Sequence, residues 1–249
     1  METTMFDILS TAELTVSAAI VVAFLTSTMA ETMRGRILVL VALGGWFALV
    51  VAVGATGALG PAFGGTPSLG LAVLLPVAAL VWAYFGLSSV RERMAATPLP
   101  AFIALNVIRL IGFMFIALHG QGRLPAPFAP SAGWGDVFIG ATALPLAWAV
   151  MRFGARVRPL ALSWNALGVV DLVTALTLGP LSAPGPLQVF VGPPDSSAMT
   201  TLPWLIIPGF LVPILLFIHV VIFTRLFTKT QTSEPAYVWR DAGGQAKSA

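Results

Sequence analysis

Residues 159–178 read PLALSWNALGVVDLVTALTL, twenty residues with one charge, Asp171, and one amide, Asn165. About 20 mainly apolar residues are what an α-helix needs to cross the ~30 Å hydrocarbon layer of a bilayer. A barrel strand would be roughly half as long and would alternate apolar with polar residues. The segment therefore reads as a membrane-spanning helix with polar groups inside it. Working outward, similar runs occupy residues 9–30, 37–59, 68–90, 100–118, 136–154 and 203–227. Of the 249 residues, 57% are hydrophobic and 9% charged, and the mean hydropathy is +0.93. That charge content is roughly a third of the soluble-domain norm, which excludes a soluble globular protein. The expected fold class is all-α: a polytopic transmembrane bundle of seven helices over residues 1–227, followed by a polar tail at 228–249. The tail has no apolar periodicity beyond Tyr237 and Trp239, which suit the headgroup level, and is expected to be disordered.

Basic residues give the bundle a direction. Arg34 and Arg36 fall between the first two runs, Arg91 and Arg93 between the third and fourth, and Arg152, Arg156 and Arg158 between the fifth and sixth. Arg225, Lys229, Arg240 and Lys247 end or follow the seventh. Eleven of the 13 basic residues thus share one side, with Arg123 opposite and Arg109 inside a run. Short loops rich in Arg and Lys stay cytoplasmic, so the N-terminus is expected outside and the C-terminus inside. An even number of spans would break the alternation. The basic clusters have a membrane explanation, and no nucleic-acid partner is expected. Before the first run stand Glu2 and Asp7 but no Lys or Arg, so this run is expected to remain attached rather than act as a secretory signal.

The outward turns share a texture. Residues 57–63 (GALGPAF), 122–128 (GRLPAPF) and 179–186 (GPLSAPGP) precede the third, fifth and seventh runs. One leading helix followed by three repeated hairpins would produce this pattern, as would the ordinary use of Gly and Pro at helix exits. The loop over 179–202 is long and nearly uncharged, and reads either as a cap on the bundle or as a tether.

Polar residues inside the runs carry the functional signal. An intramembrane ionisable group costs roughly 2.5–3.5 kcal/mol on insertion scales, so it needs a partner or a water-filled cavity. Arg109, Asn165, Asp171 and His219 are such residues. At about 1.5 Å per residue from the cytoplasmic ends, they lie ~14, ~9, ~18 and ~12 Å deep, which places them together near the middle of the bilayer. Arg109 and Asp171 are expected to form an ion pair. Asn106, three residues before Arg109, shares its face and is expected to hydrogen-bond within the cluster. The spacing Asn165-x-x-Gly168-x-x-Asp171 sets a small residue one turn from each polar group, where a neighbouring helix can approach. Pro208 and Pro213 precede His219 and should kink the last helix. The carbonyls they free either line a path or are satisfied by hydroxyls or water.

A second group, His119, Arg123 and Asp136, is expected at the outer face, with Glu13 and Asp195 near it. Gly133-x-Gly135-Asp136 reads as a helix start with Trp134 at the interface and Asp136 as N-cap. The alternative is an outward binding site built on His119 and Asp136, although two ligands are few for a metal.

Much chemistry is set aside. With no cysteine there are no disulfides, thiolate metal sites or iron–sulfur clusters. Lys229 and Lys247 lie in the tail, which closes a retinal Schiff base. His119 and His219 differ too much in depth to share a haem. Walker, His-Glu-x-x-His and Gly-x-Ser-x-Gly motifs are missing from the sequence. No cofactor and no metal are expected, and an enzyme ranks below the other readings.

In Arg109-x-x-Gly112, Gly133-x-Gly135-Asp136, Trp164-Asn165-x-x-Gly168-x-x-Asp171 and Pro208-x-x-x-x-Pro213 with His219, the second half of the chain resembles small bacterial seven-span inner-membrane proteins without an assigned activity. The resemblance implies placement in a bacterial inner membrane. The leading functional expectation is a proton- or ion-coupled transporter or permease for a small solute, using the Arg/Asp/His centre, with a homodimer completing the pathway. The other reading is a sensor, ligand-binding or assembly subunit in which the Arg–Asp pair is structural.

Overall fold

The computed structural model describes residues 4–59 and 65–228, and the side chains of 65–68 are not included. The expected tail, apart from Thr228, and part of the 57–63 turn lie outside the described residues. Every regular element among them is helical: α1 (Met5–Met29), α2 (Met33–Thr56), α3 (Gly65–Gly86) and the short α4 (Ser88–Ala96) come first. There follow α5 (Leu99–Leu105), a 3-10 segment (Asn106–Gly112) and α6 (Phe113–Gly120), which run on as one rod. Then come α7 (Phe128–Phe153), α8 (Arg158–Leu181), a π-turn (Ile207–Leu211) and α9 (Val212–Phe227).

Among the described residues, six helical stretches are long and apolar enough to cross a membrane, and the chain fits an integral membrane protein. One of the six, Phe128–Leu181, has 54 residues. As a straight helix it would be ~80 Å long, far more than a bilayer core. It does not run straight. Gly154 adopts φ 52° and ψ −125°, which only glycine takes without strain, and a 3-10 turn over Gly154–Val157 reverses the chain. The two arms then pack antiparallel. Trp164 Nε1 of α8 donates to Thr142 Oγ1 of α7 at 2.8 Å, and Gly135 of α7 faces Asp171 of α8.

Local chemistry sets the other ends. Thr4 and Asp7 form a capping box at the start of α1, and Thr32 caps α2 through a bond from Gly35 N at 3.1 Å. Gly57, at φ 67°, closes α2 in the left-handed region. Arg225 of α9 donates to the Met94 and Thr97 carbonyls and so satisfies the end of α4.

At the centre lie the α5–3-10–α6 rod and α9. Phe217, Ile218, Val221 and Ile222 of α9 are fully buried, while Leu216, Val220 and Phe223 are partly exposed, so the helix is enclosed on all but one narrow side. By contrast, Leu38, Val41 and Leu49 of α2 and Leu71, Leu75 and Trp82 of α3 are exposed, a surface suited to lipid. The segment between α8 and the π-turn caps the bundle rather than acting as a tether. Ser196 donates to the Gly179 carbonyl at 2.6 Å, and Met199, Trp204 and Leu205 are buried.

Candidate functional site, an intramembrane arginine between two carboxylates

The 3-10 segment carries Arg109 into the centre of the bundle, where the residue is 0% exposed. A seven-residue 3-10 run is longer than usual and, inside a longer helix, typically marks strain or function. Here it is pressed against α7 by missing side chains. A Cβ on Gly140 would lie 2.7 Å from Leu110 N, and one on Gly133 would lie 2.9 Å from the Gly112 carbonyl oxygen. Gly133, Asp136 and Gly140 share one face of α7, because steps of three and four residues return to the same side of a helix.

Arg109 makes four hydrogen bonds. Its Nε donates to Asp136 Oδ1 at 2.6 Å, and Nη2 donates to Asp171 Oδ2. Nη1 donates to the Gly168 carbonyl at 3.2 Å and meets His219 Nε2 at 3.1 Å. A guanidinium only donates, so Nε2 of His219 must accept. The proton of a neutral His219 then sits on Nδ1, which lies 2.7 Å from Asn165 Oδ1, and Asn165 Nδ2 donates to the His219 carbonyl at 3.0 Å. The bonds assign both the tautomer and the amide orientation. Gly168 is the keystone of the packing. A Cβ there would lie 2.7 Å from His219 Nε2 and 3.2 Å from Arg109 Nη1.

Arg109, Asp171, His219 and Asn165 are therefore brought together, but two sequence expectations are corrected. Asn106 is buried on the same rod and does not join the cluster: its Nδ2 donates backward to the Phe102 carbonyl at 3.0 Å. Among the described residues its Oδ1 has no hydrogen-bond partner. Asp136 is neither an N-cap nor part of an outer group. α7 begins at Phe128, two turns earlier, and puts Asp136 against Arg109. The signal for this was present in Pro125 and Pro127, which mark a helix start, and in the glycines flanking Asp136 on one face.

The outer group does not assemble as expected either. His119 Nδ1 donates to the nearby Leu124 carbonyl at 3.0 Å. Arg123 instead pairs with Asp7 at 2.8 Å and lies over the Trp204 ring, which stacks on Phe6. Glu13 is exposed, and Asp195 accepts from Ser197 N at 2.8 Å in a local turn. Asp7 ties the start of α1 to the loop after α6, a contact the sequence reading missed. Among the described residues no three His, Cys, Asp or Glu side chains form a group that could hold a metal ion.

Counting charges defines what the centre can do. One guanidinium faces two carboxylates, so the fully ionised group carries one negative charge in excess. In a low-dielectric interior such a charge is costly unless a proton or cation cancels it. The side chains of Asp136 and Asp171 keep 11% and 12% exposure, while that of Arg109 has none. The two carboxylates thus reach nearer the surface of the bundle than the base does.

The chain belongs to the family described as Domain of unknown function (DUF8737), whose model matches residues 66–227. The match covers nearly two thirds of the chain and leaves out α1 and α2. No curated protein and no solved structure matches the chain.

Proposed function

We propose that the protein is a small proton-coupled permease of the bacterial inner membrane. Arg109, Asp136, Asp171 and His219 form its coupling site. In this reading α7 and α8 are separate crossings, which makes seven with the N-terminus outside. The observation that carries the reading is the second carboxylate. A single Arg–Asp pair is electrically complete and can be static, whereas two acids on one base leave room for an exchangeable proton.

Protonation of Asp171 would discharge the ion pair between Arg109 and α8, leaving there only the bond to the Gly168 carbonyl, while the ion pair with Asp136 on α7 stays intact. The 3-10 segment and the π-turn, on the two buried rods, are the elements suited to absorb the resulting shift. Solute passage would be tied to that rearrangement.

The four bonds that Arg109 makes to three helices favour a second reading, an assembly or sensor subunit whose centre only holds the bundle together. Transport separates the two. Proteoliposomes enclosing a pH-sensitive dye would be challenged with pools of sugars, amino acids and organic acids. At least one pool is expected to shift the lumenal pH with the native protein and none with Asp171→Asn, provided the variant keeps its native melting temperature. A folded native protein for which no pool moves protons would favour the structural reading.

A further inference from the structure

A cavity of about 190 Å³ lies under the 182–206 loop, at the same end of the bundle as the start of α1. Val73 of α3, Phe115 of α6, Leu176 of α8, and Pro208 and Val212 at the π-turn contribute to its wall, and among the described residues no Lys, Arg, Asp or Glu does. Two of the polar side chains at its loop-side edge are turned into local bonds: Ser196 donates to the Gly179 carbonyl and Thr200 to the Ser197 carbonyl. Water has few partners there, and a cavity of ~150 Å³ lined by apolar groups stays dry and takes up a small hydrocarbon.

The cavity is not sealed. Leu74 lines it and is 61% exposed, and its neighbours Leu71 and Leu75 belong to the same lipid-suited face of α3. Val73, in the same wall, is 2% exposed. The space therefore runs from the lipid-facing surface to a buried interior. The π-turn forms part of its wall. Val212 N bonds to the Ile207 carbonyl five residues back, which widens the helix beside the cavity, and such turns recur at functional sites.

We propose that this cavity is a binding site for the acyl chain of a membrane phospholipid, entering sideways from the leaflet on the side of the 182–206 loop. A dry, uncharged wall open to hydrocarbon selects a methylene chain over a polar solute. The volume accommodates about six to eight carbons of it, by comparison with benzene in the smaller cavity. With no cation in the wall among the described residues, the site is expected to read the chain and not the headgroup. It also lies close to the polar centre: Ala175 lines it one turn from Asp171 on α8, and Val212 lines it two turns from His219 on α9. The proposal stands whether or not the centre carries protons.

The test uses the full-length protein in vesicles of phosphatidylethanolamine and phosphatidylglycerol doped with a phosphatidylcholine that carries a diazirine at the end of one acyl chain. After photolysis, adducts are expected on the buried Val73, Phe115 and Val212 as well as on exposed Leu74. Gly70 also lines the cavity, and a Cβ there meets nothing within 4 Å, so Gly70→Leu can fill space without a clash. Gly70→Leu combined with Ala175→Leu is expected to reduce labelling of the buried positions at least fivefold, and Gly70→Leu alone to reduce it in part. Gly45→Leu, which adds the same side chain to an open position on α2, is expected to leave it unchanged. Adducts confined to Leu71, Leu74 and Leu75, or labelling of Val73 undiminished by either filled variant, would overturn the proposal.

Discussion

Gly168 shows how a missing side chain can determine a site. A methyl group there would meet the His219 ring, whose two nitrogens are already engaged, and the end of Arg109. Neither neighbour can withdraw without losing a buried bond, so Gly168→Ala is expected to lower stability by about 1–3 kcal/mol, measured as thermal melting in detergent. An unchanged melting temperature would mean that the centre has slack. The charges make a sharper case. Arg109→Leu leaves two carboxylates facing each other and is expected to cost about 3–5 kcal/mol or to prevent folding. Adding Asp136→Asn and Asp171→Asn to the same protein should recover a large part of that loss, because no uncompensated charge remains. At this scale the sequence was informative for Arg109, Asn165, Asp171 and His219, since polar groups in apolar runs are conspicuous and helix rise gives their depth. Asn106 was misread because spacing gives a face and not a partner: its amide was free to turn back onto its own helix.

Elements were legible where hydropathy and punctuation agree, and misjudged where they compete. Hydropathy places the apolar run that ends near Gly154 from 136, because Trp134 and the neighbouring glycines resemble an interface. The helix in fact starts at Phe128, and those eight residues turn an expected cap into a charge at the centre. The 3-10 segment and the π-turn carry no comparable mark. Proline at 208 and 213 predicted a disturbed helix but not whether it would bend or widen, since both relieve the missing donor. The reversal between α7 and α8 depends on one backbone position. At φ 52° and ψ −125°, Gly154→Ala is expected to destabilise the hairpin by about 1–3 kcal/mol. A denaturation series that placed Gly154→Ala level with the native protein would show that the turn can be made another way.

At the scale of the whole molecule, chemical labelling tests the direction of the bundle. The sequence holds no cysteine, so single cysteines can be introduced into an otherwise silent background. Gln121→Cys, between α6 and α7, and Ala155→Cys, between α7 and α8, are expected to react with an impermeant thiol reagent from opposite sides of the membrane, Gln121→Cys from the outside. Reaction of both from one side would remove the two-crossing reading of the 54-residue stretch. Long apolar runs made the helices of the bundle readable without coordinates. How its buried rods are distorted, and what fills the space beneath the 182–206 loop, depends on packing between distant segments and had no sequence signature. The central claim is that one arginine shared by two carboxylates holds an exchangeable proton. The most direct test is an infrared titration of the purified protein with carboxyl-labelled aspartate. The native protein is predicted to show one protonated carboxylic acid that disappears as pH rises, and Asp136→Asn and Asp171→Asn are each predicted to lack it. A native spectrum without that band at any pH at which the protein stays folded would contradict the account.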